Sequence, residues 1–415
     1  MVVKIDISNI YKNISIYILY IGVMGLNSSK DNAEKDTEIQ TLKADIVRIN
    51  DLLQEKSICI TLLRNELESI RQLQGIDGLN SDFLDAVNKA HMDRDYDYLV
   101  LSGGGVKGVS FGGAVDSLDK LKILYNEQNQ MKLKGFAVVS AGSIIGSLLA
   151  VGYTPTELSV IIKDIDFEKI FDDGLWYIKD AINFIEDWGA CPGNYLLDLL
   201  GNLIKQKTGN PDYSLEDLYR DKNFKLVCAT TDMCEEKTIY LYAGNPVKEY
   251  SNIPVRKAVR MSMGIPFLYE PIELNDGLFV DGGVLDNFPL HVFDGDYPGD
   301  PKARLNICTP NPKVLGIKIM TSDEQLNYDI MPKQKFAKMT DYGMSFIDTF
   351  LTENDRRMMT PSFWIRSIII VTPNYPLTKM SLTDTEKEDL ITRGSKAVND
   401  FFVTKSLMMR MNKKK

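Results

Sequence analysis

Histidine is the residue this chain most conspicuously lacks: only His91 and His291 occur in 415 residues. Any chemistry that needs an imidazole base must use one of these two. His91 precedes the first convincing strand and reads as an ordinary core or surface residue. Cysteine is also sparse. Cys59, Cys191, Cys228, Cys234 and Cys308 are scattered without a C-x-x-C pair, which excludes a disulfide scaffold and a zinc site and fits a reducing compartment. With no ligand cluster in view, chemistry without a metal or cofactor is expected. There is no excess of positive charge: 48 Lys and Arg stand against 57 Asp and Glu, a net charge of -9, which argues against a nucleic-acid partner. What remains, 44% hydrophobic and 25% charged residues, is the composition of a globular chain with a large core.

A long hydrophobic run is missing too. Residues 1–30 form an apolar N-terminal segment whose run, Ile14 to Leu26, is shorter than the roughly 20 residues a membrane-spanning helix needs. Lys4 and Lys12 ahead of it resemble the start of a signal peptide, but no A-x-A-like cleavage site follows. Two expectations stand for this segment: attachment of a cytoplasmic protein to a membrane, or a start at Met24 with Gly25 as a myristoylation site in Met24-Gly25-Leu26-Asn27-Ser28-Ser29.

Residues 31–80 are expected to form a coiled-coil helix. Ile39, Leu42, Ile46, Ile49, Leu53, Lys56, Ile60, Leu63, Leu67 and Ile70 keep strict 3,4 spacing with Lys56 as the only polar member. Homo-oligomerisation through residues 39–70 is the first reading, and packing of one long helix on the rest of the chain is the second. Gly75 and Gly78 end the helix, and Asp93-Arg94-Asp95 marks the boundary with a main domain over residues 95–405.

The domain opens with an apolar strand, Tyr96 to Ser102, then Gly103-Gly104-Gly105-Val106-Lys107-Gly108, then a helical stretch from Val109 to Leu124. Glycines let backbone N–H groups approach an anion, and a following helix start adds partial positive charge. The loop also satisfies G-x-G-x-x-G literally. A dinucleotide site would end its second strand in an acidic residue, whereas Gly135 to Val139 runs into Ser140-Ala141-Gly142-Ser143, and a P-loop would place Lys where Val109 stands. Nucleotide binding is therefore set aside. Ser140 occupies a sharp strand-to-helix turn, the position of an exposed nucleophile, although a lone S-x-G is more often a helix N-cap. A base is offered by Asp281, where the apolar strand Leu278 to Val280 ends in Asp281-Gly282-Gly283.

Taken together, Ser102 to Gly108, Ser140-Ala141-Gly142 and Asp281-Gly282-Gly283 resemble the patatin-like phospholipases in order and separation. Ala150 to Leu158, Met263 to Phe267 and Asp286-Asn287-Phe288-Pro289 extend the likeness over about residues 95 to 405. The resemblance implies an α/β fold, a three-layer α/β/α domain here preceded by the helical coiled-coil extension. It further implies a lipid acyl hydrolase of the phospholipase A or lipid esterase type, acting on phospholipid or another acyl lipid at a membrane surface. Ser140 and Asp281 would be the catalytic dyad, N–H groups of Gly103, Gly104, Gly105 and Val106 would form the oxyanion hole, and Lys107, Gly108, Gly282 and Gly283 would support these motifs. His291 completes a Ser140, Asp281, His291 order but follows Pro289 closely in an expected helix, and it reads as a bystander.

One position departs from the family. Its nucleophile motif is G-x-S-x-G, and Val138 stands at the first glycine while Gly142 keeps the last. A branched side chain there is expected either to disturb the elbow or to be absorbed by an adapted core. The competing reading is a patatin-fold interaction or lipid-binding protein with weak or no catalysis. Further strands are expected over Lys225 to Thr230, Lys237 to Ala243, Lys313 to Met320 and Ile368 to Thr372. The apolar stretch between Phe167 and Leu218 is expected to be mostly core, with part of it lining an acyl-chain cleft. Residues 406–415, a basic tail ending in Lys413-Lys414-Lys415, are expected to fray in solvent.

Overall fold

A computed structural model of the chain describes residues 80–170, 188–304, 309–321, 345–347, 349, 360–376, 379 and 381–412. The apolar N-terminal segment, the heptad seam of residues 39–70, the cleft candidates Phe171 to Phe184 and the last three lysines lie outside the described residues.

The helices used below are α1 (Asn80–Asp93), α2 (Ser110–Lys120), α3 (Ala141–Val151), α4 (Pro155–Asp164), α5 (Asn194–Thr208), α6 (Leu215–Lys222), α7 (Val255–Ser262), α8 (Gly283–Asp286) and α9 (Asp384–Asn412). The strands are β1 (Tyr98–Leu101), β2 (Gly135–Val138), β3 (Gly189–Cys191), β4 (Lys225–Asp232), β5 (Lys237–Leu241), β6 (Phe267–Tyr269), β7 (Ile272–Leu274), β8 (Gly277–Asp281), β9 (Val314–Thr321) and β10 (Ser367–Thr372). Eight of them build one sheet in the order β10-β9-β1-β2-β4-β8-β7, with β5 pairing to β4. β10, β9, β1, β2 and β4 run parallel, and β5, β8 and β7 join antiparallel. β2, β9 and all of β1 after Tyr98 are buried on both faces, Lys318 of β9 included, as parallel strands covered on each side require.

The two faces are covered unequally. Leu99, Leu101, Phe136 and Val138 point into the larger cluster, where they meet side chains of α2, α3 and α9 such as Phe111, Leu148 and Leu390. Val100, Ala137, Val139 and Val227 face a smaller cluster closed by Phe288, Leu290, Val292, Phe293 and Phe363. These come from the 3₁₀ turn Leu290–Phe293, the residues leading into it and the single turn Pro361–Ile365. Among the described residues, then, the expected α/β/α sandwich has one full helical layer and one face closed by short turns. The helix α1 packs on this domain through Phe83 and Val87. His91 is held there by Tyr96 Oη at 2.6 Å and the Ile365 carbonyl at 2.9 Å, so the folded unit begins before residue 95 and His91 is structural. At the other end the helix continues to Asn412, where a frayed tail was expected.

Register explains where a site can form. β1 and β2 pair with Leu101 opposite Val138, so the glycine loop and Ser140 leave neighbouring strand ends side by side. β2 pairs with β4 with Val138 opposite Cys228, and β4 pairs with β8 with Thr230 opposite Asp281. Ser140, two residues beyond Val138, is thereby level with Asp281 across β4.

Candidate active site

Ser140 holds φ 48° and ψ -126°, a conformation that costs a non-glycine residue energy and persists only where its surroundings fix it. Three contacts do so. Its N–H donates to Ser262 Oγ at 3.0 Å, its carbonyl accepts from Ser143 N at 2.8 Å, and the Ser143 hydroxyl reaches the same carbonyl at 2.5 Å. Although Ser140 sits at the N-cap of α3, its side chain makes no capping hydrogen bond. Thr154, at the start of α4, shows the contrast, caught in a full capping box with Glu157. The Ser140 hydroxyl is thus left for the site and not spent on the helix.

The turn is possible because α3 lies unusually close to the sheet. A methyl group on Gly142 would come to 2.6 Å from the Ser102 carbonyl oxygen and 2.8 Å from that of Leu101. Gly108 is pressed against the helix start in the same way, with space for a Cβ only 2.6 Å from that of Ala141.

Asp281 ends β8 buried, with its N–H donating to the Gly264 carbonyl at 2.8 Å and its Oδ1 accepting from Gly283 N at 2.7 Å. Burial pushes its carboxyl up to about 7, against the smaller opposing effects of a hydrogen bond from Ser140 and of the Gly283 N–H. A carboxylate with that affinity for a proton is suited to take one from a neighbouring hydroxyl near neutral pH.

The glycine loop becomes a 3₁₀ turn, Gly105–Val109, followed directly by α2. Gly105 takes φ 54°, which a glycine tolerates without strain. Of the four expected oxyanion donors, Gly103 is otherwise engaged: its N–H donates to the carbonyl of Asn287 at 3.1 Å. Gly104, Gly105 and Val106 stand at the entrance to the turn, the positions whose N–H groups a helical start leaves without an acceptor inside the helix. Lys107 is half-buried on the same turn, and its carbonyl accepts from Ser110 Oγ at 2.8 Å.

Beside Ser140 opens an almost wholly apolar pocket with Val106, Ile144, Ile162, Ile170, Ile265 and Tyr269 in its wall. Its apolar side comes from α3 and α4 and the residues that follow. Of the stretch expected to be mostly core with part of it lining a cleft, Leu196, Leu200 and Ile204 of α5 are core and Ile170 lines the pocket. His291 is not brought to Asp281. Its Nε2 lies 3.1 Å from Tyr240 Oη and 3.7 Å from Asp286 Oδ2 in a buried cluster. Ser262, Gly264 and Asn287 are the site residues that sequence reasoning missed, although two runs compared above, Met263 to Phe267 and Asp286 to Pro289, adjoin or contain them.

A family model described as patatin-like phospholipase matches residues 99–294, a range that contains every residue of the site. The protein YqhO of Bacillus subtilis (strain 168) is 26% identical over 319 residues, covering 73% of this chain and 96% of its own. A protein of Invertebrate iridescent virus 6 named "Probable lipid hydrolase 463L" is 29% identical over 199 residues, 48% of this chain and 63% of its own. Among solved structures, VipD from Legionella pneumophila overlaps 75% of this chain and 67% of its own, with a TM-score of 0.46 and 17% identity.

Proposed function

We propose, from the match of residues 99–294 to the patatin-like phospholipase family, that the chain is a lipid acyl hydrolase that cleaves carboxyl esters of glycerolipids through Ser140 and Asp281. The observation that carries this reading is the uncapped Ser140 hydroxyl, held on a strained turn at the mouth of the apolar pocket. In the proposed cycle Ser140 Oγ attacks the ester carbonyl while Asp281 takes its proton. The oxyanion is met by the N–H groups of Gly104, Gly105 and Val106, each donor of this kind being worth roughly 10²- to 10³-fold in rate. Asp281 returns the proton to the departing alcohol, and water then releases the fatty acid from Ser140 by the same steps in reverse roles. The acyl chain lies in the apolar pocket, and the carboxylic ester, with no positive charge to recruit, is presented from a lipid surface.

No helix among the described residues is long and apolar enough to cross a membrane. The proposal assigns access to lipid to the surface of the domain and to the apolar N-terminal segment, with a cytoplasmic setting and self-association through residues 39–70 as further parts. Reversing the polarity of the seam in the full chain, by Ile46→Lys with Ile49→Lys, should lower the mass seen by light scattering.

The decisive test is reaction of the full chain with a fluorophosphonate, located by mass spectrometry, alongside fatty-acid release from phospholipid vesicles. Labelling of Ser140 and loss of both signals in Ser140→Ala support the reading. A chain that binds vesicles but neither labels nor releases fatty acid is a non-catalytic lipid-binding protein.

A further inference from the structure

The segment after Asp281 does more than end a strand. The short helix α8 follows within two residues, and its last member, Asp286, is tied at three points. Its N–H donates to the Gly282 carbonyl at 2.9 Å, Tyr240 Oη of β5 donates to its Oδ2 at 2.5 Å, and His291 Nε2 lies 3.7 Å from the same oxygen. All three side chains are buried. The next residue, Asn287, meets the glycine loop. Its carbonyl accepts the Gly103 N–H, and a methyl group on Gly103 would overlap Asn287 Oδ1 while coming to 3.2 Å from Ser140 Cβ. The Asn287 side chain thus fills the space that Gly103 leaves, next to the nucleophile.

We propose that Asn287 is a positioning residue for the oxyanion loop, carried on a rigid strut (Asp281, α8, Asp286) that Tyr240 fastens to the sheet. The inference rests on the hydrolase reading and adds to it a mechanical link: the segment that holds the base also sets the height of the donor loop over Ser140. With the Gly103 N–H bound to the Asn287 carbonyl and the Asn287 side chain packed against the Gly103 backbone, the loop is kept from settling towards Ser140. The strut explains why a pair of buried polar residues, Tyr240 and Asp286, is kept behind a site that does not use either as acid or base. Buried polar groups cost least when they satisfy one another, and here the Tyr240 hydroxyl is bound to Asp286 Oδ2.

The test uses the full chain, a soluble short-chain nitrophenyl ester and the fluorophosphonate. Asn287→Ala should lower kcat by about 10- to 100-fold with KM within about threefold, the signature of a donor displaced by an ångström and not of lost binding. Tyr240→Phe, which loses one hydroxyl, should lower kcat by about three- to tenfold in the same pattern. Gly103→Ala should be the most damaged, because its methyl collides with Asn287. Adding Asn287→Ala should make the double variant at least about tenfold faster than Gly103→Ala alone, a non-additivity expected only of residues in contact. Wild-type kcat in Asn287→Ala, or a double variant slower than Gly103→Ala by the full factor of Asn287→Ala, overturns the proposal. Should Asn287→Ala fail to fold, Tyr240→Phe decides: unchanged kcat there removes the strut. A wild-type chain inert to both reagents defeats the hydrolase reading itself, whereas an active wild type with indifferent variants defeats only the role of Asn287.

Discussion

Val138 lies directly over Gly146: a Cβ added to Gly146 would collide with the Cγ1 of Val138. The helix α3 presents Gly142 and Gly146 one turn apart to the sheet, and the valine occupies the room that Gly146 leaves. The departure from G-x-S-x-G is thereby absorbed one turn further along the helix. Val138→Gly should open a cavity, lowering melting temperature and activity together, with about 0.5 to 1 kcal/mol from the strand glycine added to the cavity cost. Gly146→Ala should be destabilised by roughly 1 to 3 kcal/mol through overpacking. The double variant should be more stable than either single change predicts by addition, since the alanine methyl enters the vacated space. Thermal melts of the four proteins check this. A Val138→Gly enzyme with faster turnover would show that the valine strains the elbow.

The proton affinity of Asp281 sets a pH profile. In the proposed cycle the Asp281 carboxyl, pushed up to about 7 by burial, is protonated and idle below that pH and competent above it. A plot of kcat/KM against pH on a soluble ester should climb with unit slope on its acid side and level off above about 7. Asp281→Asn should lose the climb together with at least about 10³-fold of the rate, as should Ser140→Ala. An acid limb near the ordinary carboxylate range of about 4 would assign the proton acceptor elsewhere.

The same burial has a cost in stability, and its sign is opposite to that of a salt-bridged carboxylate. The folded chain holds the Asp281 proton more tightly than the unfolded chain, whose value is the ordinary 3.8. Stability is therefore lost as pH rises from about 4 through about 7. At about 1.36 kcal/mol per unit the ceiling is on the order of 4 kcal/mol. Asp281→Asn, neutral throughout, should melt several degrees above wild type at pH 8, and the gap should close as pH falls towards 5. Equal melting points at pH 8 would mean that the charge is solvated in the native state.

How far these features could be read beforehand depends on whether they are local. The glycine loop, Ser140 and Asp281 each demand a backbone geometry set by adjacent residues, so they stand out as short motifs. Strands β1, β2, β4 and β9 were legible from apolar runs. Contacts across the sheet were not. Ser262 reaches Ser140 from 122 residues away, and Asn287, carried on the segment after β8, meets Gly103 at the end of β1. Nothing in an apolar stripe says which neighbour it meets, so the sequence did not point to Ile144 and Ile162 of α3 and α4 as pocket lining. Val138 looked like a defect because its compensation, Gly146, lies eight residues further on and outside the motif.

Ser262 offers the sharpest test of how the elbow is held. It is fully buried at the end of α7, and its hydroxyl oxygen accepts the N–H of Ser140, while the Gly264 carbonyl two residues on accepts the N–H of Asp281. One turn of chain therefore grips the backbone of both residues of the proposed dyad and spans the end of β4 between them. Ser262→Ala leaves the Ser140 N–H buried without its partner, a loss of about 1 to 3 kcal/mol that falls on a residue already at unfavourable dihedrals. If the grip sets the attack geometry, kcat should fall by about tenfold or more, since about 1 Å of displacement can cost 10²-fold, while KM for a soluble ester stays near wild type. The melting temperature should drop by a few degrees in parallel. A variant that melts lower but turns over at the wild-type rate would show that Ser262 supports the fold alone and that α3 and the close approach of Gly142 are enough to hold Ser140 in place.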